Sequence, residues 1–205
     1  MLFRSNLIEA AILGIIQGIT EFFPVSSSGH LVLMRKLFNF KDQGLEFDAI
    51  LHFGTLFALL IYFAKDWIKI FSGLFYKDRK NERRLLFYLI LGSLPVAIIG
   101  YFAASLLEDF FRDIVWVAAF LIITGLIFIA ADKFDQIKLR KKELSKLKLK
   151  DALAIGGAQA LALLPGISRS GITISAGIFC KMKRDQAARF SFLLATPAID
   201  RKSVV

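Results

Sequence analysis

Apolar residues in this chain come in long blocks, not in the three-to-four-residue beat of a soluble amphipathic helix. Three blocks are plain. Phe47–Ala64 carries one acid near its start and His52; Leu85–Ala104 has no charge and holds Pro95; Val115–Ala131 is uncharged. At about 1.5 Å per residue, 17–20 residues reach across a hydrocarbon core of about 30 Å, so each block predicts a membrane helix, with a kink expected at Pro95. The segments between them orient the helices. Lys65–Arg84 holds seven Lys/Arg against three acids, a net of +4; Asp132–Lys150 holds eight against three, a net of +5; Ser105–Ile114 nets −2. The two basic loops are separated by two helices, so they share one side. The positive-inside rule makes that side cytoplasmic. The second basic run could also lie as an amphipathic helix on anionic lipid without changing this topology.

Two further apolar blocks are interrupted. Leu7–Leu37 contains EFFPVSSSGH over Glu21–His30, and Ala152–Cys180 contains LPGISRSGIT over Leu164–Thr173. Each predicts an apolar helix, a Pro/Gly break rich in hydroxyls, and a second short helix. Such breaks are tolerated at membrane depth only where they line a cavity or are buried in protein. The two blocks also resemble each other. A shift of 142 residues places Gly14 on Gly156, Gln17 on Gln159, Ser26 on Ser168, Ser28 on Ser170 and Gly29 on Gly171. Three plain spans lie between the copies, so the copies enter from opposite sides. The predicted fold is therefore all-α and polytopic: one membrane domain over 1–199, with an inverted-topology repeat and two re-entrant helix–break–helix hairpins. The first repeat covers about 1–131 and an incomplete second about 150–199.

Composition narrows the class. The 205 residues are 56% hydrophobic, with a mean hydropathy of +0.60, too apolar for an ordinary soluble domain. The net charge of +10 sits in the predicted cytoplasmic loops and comes with no basic-aromatic groove, which argues against nucleic acid. Cys180 is the single cysteine, so no internal disulfide forms, and it is expected to pack as a small apolar side chain. One Arg precedes the first apolar run and no small-residue cleavage site follows, which reads as a retained segment.

The breaks carry the candidate chemistry. Gln17 and Glu21 are four apart and share a helix face. Ser26, Ser27 and Ser28 follow Pro24, then Gly29 and His30 open the next helix. Hydroxyls and free N–H groups at a helix start make an anion site. Ser168, Arg169, Ser170 and Thr173 repeat this with a guanidinium suited to phosphate. An Arg buried with no acid nearby in sequence calls for an anion as partner. Glu21 and His30 could hold a divalent cation or move protons, and a Ser beside a His is a nucleophile–activator pair. Ionisable groups inside apolar stretches default to function, which singles out Glu21 and Arg169. Glu9 and Asp48 read as interfacial, and His52 as a residue that packs or bonds a neighbour. The residues alone point to a membrane pocket for an amphiphile with a phosphate head.

QGITEFFPVSSSGH (Gln17–His30) and PGISRSGIT (Pro165–Thr173) resemble the two signature motifs of the bacterial undecaprenyl-diphosphate phosphatase family, of the bacitracin-resistance type. FDAILHFGTLFA (47–58) resembles a further block of that family. The resemblance covers about residues 1–199. It implies hydrolysis of undecaprenyl diphosphate to undecaprenyl phosphate and phosphate, recycling the lipid carrier for peptidoglycan and removing the lipid that bacitracin targets. It implies a multi-pass protein of the bacterial inner membrane, stimulated by a divalent cation, Mg2+ or Ca2+. Carried over by position, Glu21 is the metal-linked or proton-handling acid, Ser27 the leading nucleophile, His30 its activator or an alternative nucleophile, and Arg169 the phosphate clamp. Ser26, Ser28, Ser168, Ser170 and Thr173 line the phosphate pocket. Gln17, with Glu21, takes the metal position, where other members have a second Glu. A type-2 phosphatidic acid phosphatase would need an upstream Lys…Arg-Pro motif and a late His-x-x-x-Asp, and neither is found. A transporter or flippase for a phosphorylated lipid is the alternative from another class, since inverted repeats with broken helices are also transporter architecture. Homodimerisation is left open. The family's chains continue through further spans, whereas Asp200–Val205 (DRKSVV) interrupts an apolar run and matches the translation of a common sequencing adapter; the expectation is a non-native tail.

Overall fold

The computed structural model describes residues 7–41, 44–111, 113–137 and 141–202, with the side chains of 45, 104, 105, 108, 109 and 197–202 outside the description. The tail at 200–205 thus lies outside the described side chains. Among the described residues nine α-helices follow one another: α1 (Leu7–Phe22), α2 (Ser27–Leu37), α3 (Leu45–Tyr62), α4 (Ala64–Ser72), α5 (Lys80–Phe111), α6 (Ile114–Ile137), α7 (Leu149–Leu161), α8 (Arg169–Phe179) and α9 (Arg184–Lys202). A short 3-10 turn, Leu144–Lys146, precedes α7. No strand occurs among the described residues, in line with the all-α expectation.

The three plain blocks are helices. α5 and α6 are each long and apolar enough to cross a bilayer, and α3 qualifies together with α4 across a 63° bend. The chain is a helical membrane protein. Two boundaries differ from the sequence reading. The basic segment Lys65–Arg84 is not a loop throughout: its first part is α4, a short helix with Trp67 and Ile70 turned inward and charges outward. α5 also starts at Lys80 and continues past Pro95 without a break.

The core gathers around the first half of α9. Phe190, Leu193 and Leu194 are fully buried against Leu59 of α3, Leu89 of α5, Ile155 of α7 and Ile178 of α8. α7 lies along α5 at very close range. A Cβ placed on Gly156 would come within 2.1 Å of the Gly92 carbonyl oxygen, and one on Gly92 within 3.2 Å of the Ala152 carbonyl. Small residues at such crossings let membrane helices gain contact where lipid supplies no hydrophobic drive.

The basic end is tied by polar contacts. Lys142 bonds Asp151 at 2.9 Å, and its backbone pairs with that of Lys181 and Lys183. Arg184 reaches Asp132 and Asp135, Lys141 reaches Asp135 at 2.9 Å, and Arg189 reaches Asp66. Lys183 and Glu143 form an exposed pair in which the bonded ammonium holds the carboxyl below its ordinary value. Pairs this exposed contribute little to stability; their effect is to gather the ends of α6, α7, α8 and α9 on one face.

Replacing Gly156 by Ala is expected to destabilise the protein by about 1–3 kcal/mol, since backbone must move to admit the methyl. Gly157→Ala, where an added Cβ meets nothing within 4 Å, should be neutral or slightly stabilising. Thermal unfolding of both variants in one detergent checks the contrast.

Candidate active site

The first break begins where α1 ends at Phe22. Pro24 follows in a tight turn closed by the Val25 N–H on the Phe23 carbonyl at 2.8 Å. Ser26 then adopts φ 61°, a left-handed conformation unusual for a residue with a side chain. It caps α2: its Oγ accepts from the Gly29 N–H at 3.4 Å and lies 3.3 Å from Ser28 Oγ. The second break repeats these cap bonds on a different backbone, with Ser168 extended at φ −70°. Ser168 caps α8, accepting from the Gly171 N–H at 3.1 Å and lying 3.3 Å from Ser170 Oγ. Gly166 makes the turn at φ 97°, and a Cβ there would come within 2.5 Å of the Val117 carbonyl, so the Pro165-Gly166 pair admits only glycine at its second position. The serine caps of the two breaks thus make the same bonds at a spacing of 142 residues.

The two breaks meet on one carboxylate. Glu21 and Gln17 are both buried on the inner face of α1, and the Gln17 amide donates to Glu21 Oε2 at 2.9 Å. Ser27, the first residue of α2, donates its hydroxyl to the same oxygen at 2.6 Å. Arg169, the first residue of α8, forms an ion pair with Glu21 Oε1. Ser27 and Arg169 are matched by the repeat, so the two helix starts aim different chemistries at one acid. Ser170 crosses between the breaks as well, donating to the Phe23 carbonyl at 3.1 Å.

This answers one expectation in an unforeseen way. Arg169 has an acidic partner, supplied from 148 residues away in the chain. His30 donates from Nδ1 to the Ser26 carbonyl at 2.8 Å, which leaves Nε2 as its lone-pair nitrogen. Ser27 is thus bonded to Glu21, while His30 is held by Ser26. Thr173 does not face the pair: its hydroxyl donates to the Arg169 carbonyl at 2.7 Å and lies 2.5 Å from Ser191 of α9.

His52 is brought to the site although its sequence context reads as packing. Its Nδ1 lies 2.6 Å from the Gln17 amide nitrogen and accepts from it. The available signal was that it is one of two histidines in the chain, inside an apolar block. The bond fixes the amide, and leaves Gln17 Oε1 buried without a hydrogen-bond partner. Among the described residues no three His, Cys, Asp or Glu side chains gather as a ready cation site. The donors present are oxygens: the Glu21 carboxylate, Gln17 Oε1 and Ser27 Oγ. Oxygens suit a hard divalent cation, which needs six or more and would take the rest from water and phosphate.

Residues 10–205 match the family described as bacitracin resistance protein BacA. The chain belongs to this family. It is 44% identical over 196 residues to the undecaprenyl-diphosphatase of Corynebacterium diphtheriae, covering 93% of this chain and 68% of that protein. It is 45% identical over 197 residues to that of Thermodesulfovibrio yellowstonii, covering 95% and 72%. It is 45% identical over 199 residues to that of Geobacter metallireducens, covering 95% and 73%. The chain spans about two thirds to three quarters of the length of these relatives, 66% in the case of a Corynebacterium glutamicum protein. Both breaks fall inside the matched region of the BacA family, as do all the site residues named above.

Arg169→Met would leave the buried Glu21 carboxylate without its guanidinium, which is expected to cost about 3–5 kcal/mol. Arg169→Met with Glu21→Gln removes both charges and should cost less. The order of melting temperatures in detergent tests whether the pair is coupled as described.

Proposed function

We propose that this chain hydrolyses undecaprenyl diphosphate to undecaprenyl phosphate and inorganic phosphate in the bacterial cytoplasmic membrane. The observation that carries the reading is that Ser27 and Arg169, from two different breaks, converge on Glu21. A nucleophilic hydroxyl bonded to a carboxylate, with a guanidinium alongside, is what phosphoryl transfer requires. The names of the 42–45% identical relatives agree with it.

Arg169 exchanges its bond to Glu21 for the terminal phosphate oxygens and neutralises charge that grows there. Glu21, already bonded to the Ser27 hydroxyl, takes its proton. Ser27 Oγ attacks the terminal phosphorus in line with the bridging oxygen, which leaves with undecaprenyl phosphate. His30, oriented by the Ser26 carbonyl, takes a proton from the water that cleaves the phosphoserine. The water oxygen bonds to phosphorus as the Ser27 Oγ–P bond breaks, Ser27 regains its proton from Glu21, and inorganic phosphate leaves with the proton that His30 gives up. Ser26, Ser28, Ser168 and Ser170 shape the two helix starts whose N–H groups face the anion. Glu21 and Gln17 Oε1 would hold Mg2+ or Ca2+, which neutralises diphosphate charge when bound.

The re-entrant reading of both hairpins has physical support. In the first, the Gly14 position faces Leu51 of α3 and Arg35 of α2 bonds Asp48 at the start of α3, with one bond of 3.0 Å. The outer parts of α1 and α2 therefore lie near the same end of α3. In the second, Lys142 holds Asp151 at the start of α7 and, through its backbone, Lys181 just beyond α8. That hairpin enters and returns at the basic face, opposite to the first.

Phosphate release from undecaprenyl diphosphate in detergent tests the function. Ser27→Ala and Arg169→Ala are each expected to lower the rate by about 10²-fold or more, and a chelator to suppress it. Lipid that binds intact and is never cleaved, in wild type as in variants, would overturn the hydrolase reading in favour of transport.

A further inference from the structure

A half-open cavity of about 170 Å³ lies beside the site, lined by Pro24, Val25, Leu121, Thr124, Gly125 and Ser168. We propose that it seats the isoprene unit bonded to the diphosphate, a subsite that rests on the hydrolase reading above. Its walls adjoin both breaks. Pro24 and Val25 lie between Glu21 and Ser26, and Ser168 directly precedes Arg169. On the proposal, a diphosphate held by Arg169 would lead its first carbons into this neighbouring space.

The lining suits hydrocarbon and not an anion. None of the six residues is charged. Thr124 commits its hydroxyl to the Phe120 carbonyl at 2.8 Å, and Ser168 Oγ is engaged by the Gly171 N–H and Ser170. The hydroxyls are occupied, so a polar group entering would lose water without full compensation. A cavity of about 150 Å³ with apolar walls accepts a six-carbon ring; a five-carbon unit is of fitting size. The chain already lies in an apolar medium, so seating adds little hydrophobic affinity. What it adds is orientation, with the prenyl end held so that the terminal phosphorus faces Ser27.

Gly125 offers a direct test, because an added Cβ there meets nothing within 4 Å. The series Gly125→Ala, Val and Leu places progressively larger side chains at this exposed lining position. On a Ser27→Ala background that stops turnover, binding of farnesyl diphosphate and of inorganic diphosphate is measured in one detergent. Farnesyl diphosphate is expected to weaken stepwise along the series, to about tenfold at Leu, while inorganic diphosphate stays within twofold. Unchanged farnesyl diphosphate binding across the series would overturn the proposal. So would an equal fall for both ligands in Gly125→Ala, the smallest change, which would place the anion itself in the cavity. Phosphate release by the chain with native Ser27 is assayed alongside. Selective weakening with no release at all sinks the hydrolase reading and leaves the prenyl seat standing.

Discussion

Glu21 and Arg169 meet inside the protein, and the site is organised about their ion pair. A carboxylate and a guanidinium removed from water are each costly, and they are tolerated only together and with further hydrogen bonds. Glu21 has those bonds, from Gln17 on one oxygen and Ser27 on the same one. The pair joins the first interrupted segment to the second, so neither half holds a complete site by itself. In the reaction proposed above, an arriving phosphate would compete with Glu21 for Arg169 and leave the carboxylate beside the Ser27 hydroxyl.

The internal repeat explains how two segments far apart in sequence produce one pocket. Each break ends in a serine cap, a second serine, and a glycine whose N–H the cap satisfies. That architecture is duplicated almost bond for bond. The copies differ at the first helical residue, which is Ser27 in one and Arg169 in the other. A similar frame thus brings a hydroxyl and a cation to one carboxylate. Gln17 and Gln159 show the same divergence. Gln17 spans Glu21 and His52, whereas Gln159 is fully buried in α7 with neither polar atom hydrogen-bonded.

Packing keeps the frame in place. The contact of Gly92 with Gly156 draws α7 onto α5, and the ion pairs at the basic face fix where α7 starts and α8 ends. Gly166 packs beneath the Val117 carbonyl and Gly171 against the Thr124 methyl, which sets α8 against α6. The contacts of Gly156 with Gly92 and of Gly166 with Val117 are approaches to backbone, which permit little adjustment. The position of Arg169 is therefore decided by glycines on its own hairpin and by the helices they touch.

Much of this was legible in the letters because membrane helices advertise themselves by length and lack of charge. The spans, the breaks at Pro24 and Pro165-Gly166, and the paired serine motifs follow from local rules of hydropathy, proline and capping. The bend between α3 and α4 was not legible, since a charged interfacial turn reads as a loop when only charge is counted. Nor was the partnering inside the site. Local rules marked Glu21 and Arg169 as expensive where they lie, but contact across 148 residues depends on how two hairpins cross. The same limit applies to His52, whose apolar surroundings in sequence conceal a bond to Gln17, and to Thr173, whose hydroxyl is taken by Ser191 of α9. Sequence determined which residues cannot be inert in a bilayer. Tertiary structure alone decided which of them touch, because a hydrogen bond needs atoms within about 3 Å and only the packing of helices sets distances that fine.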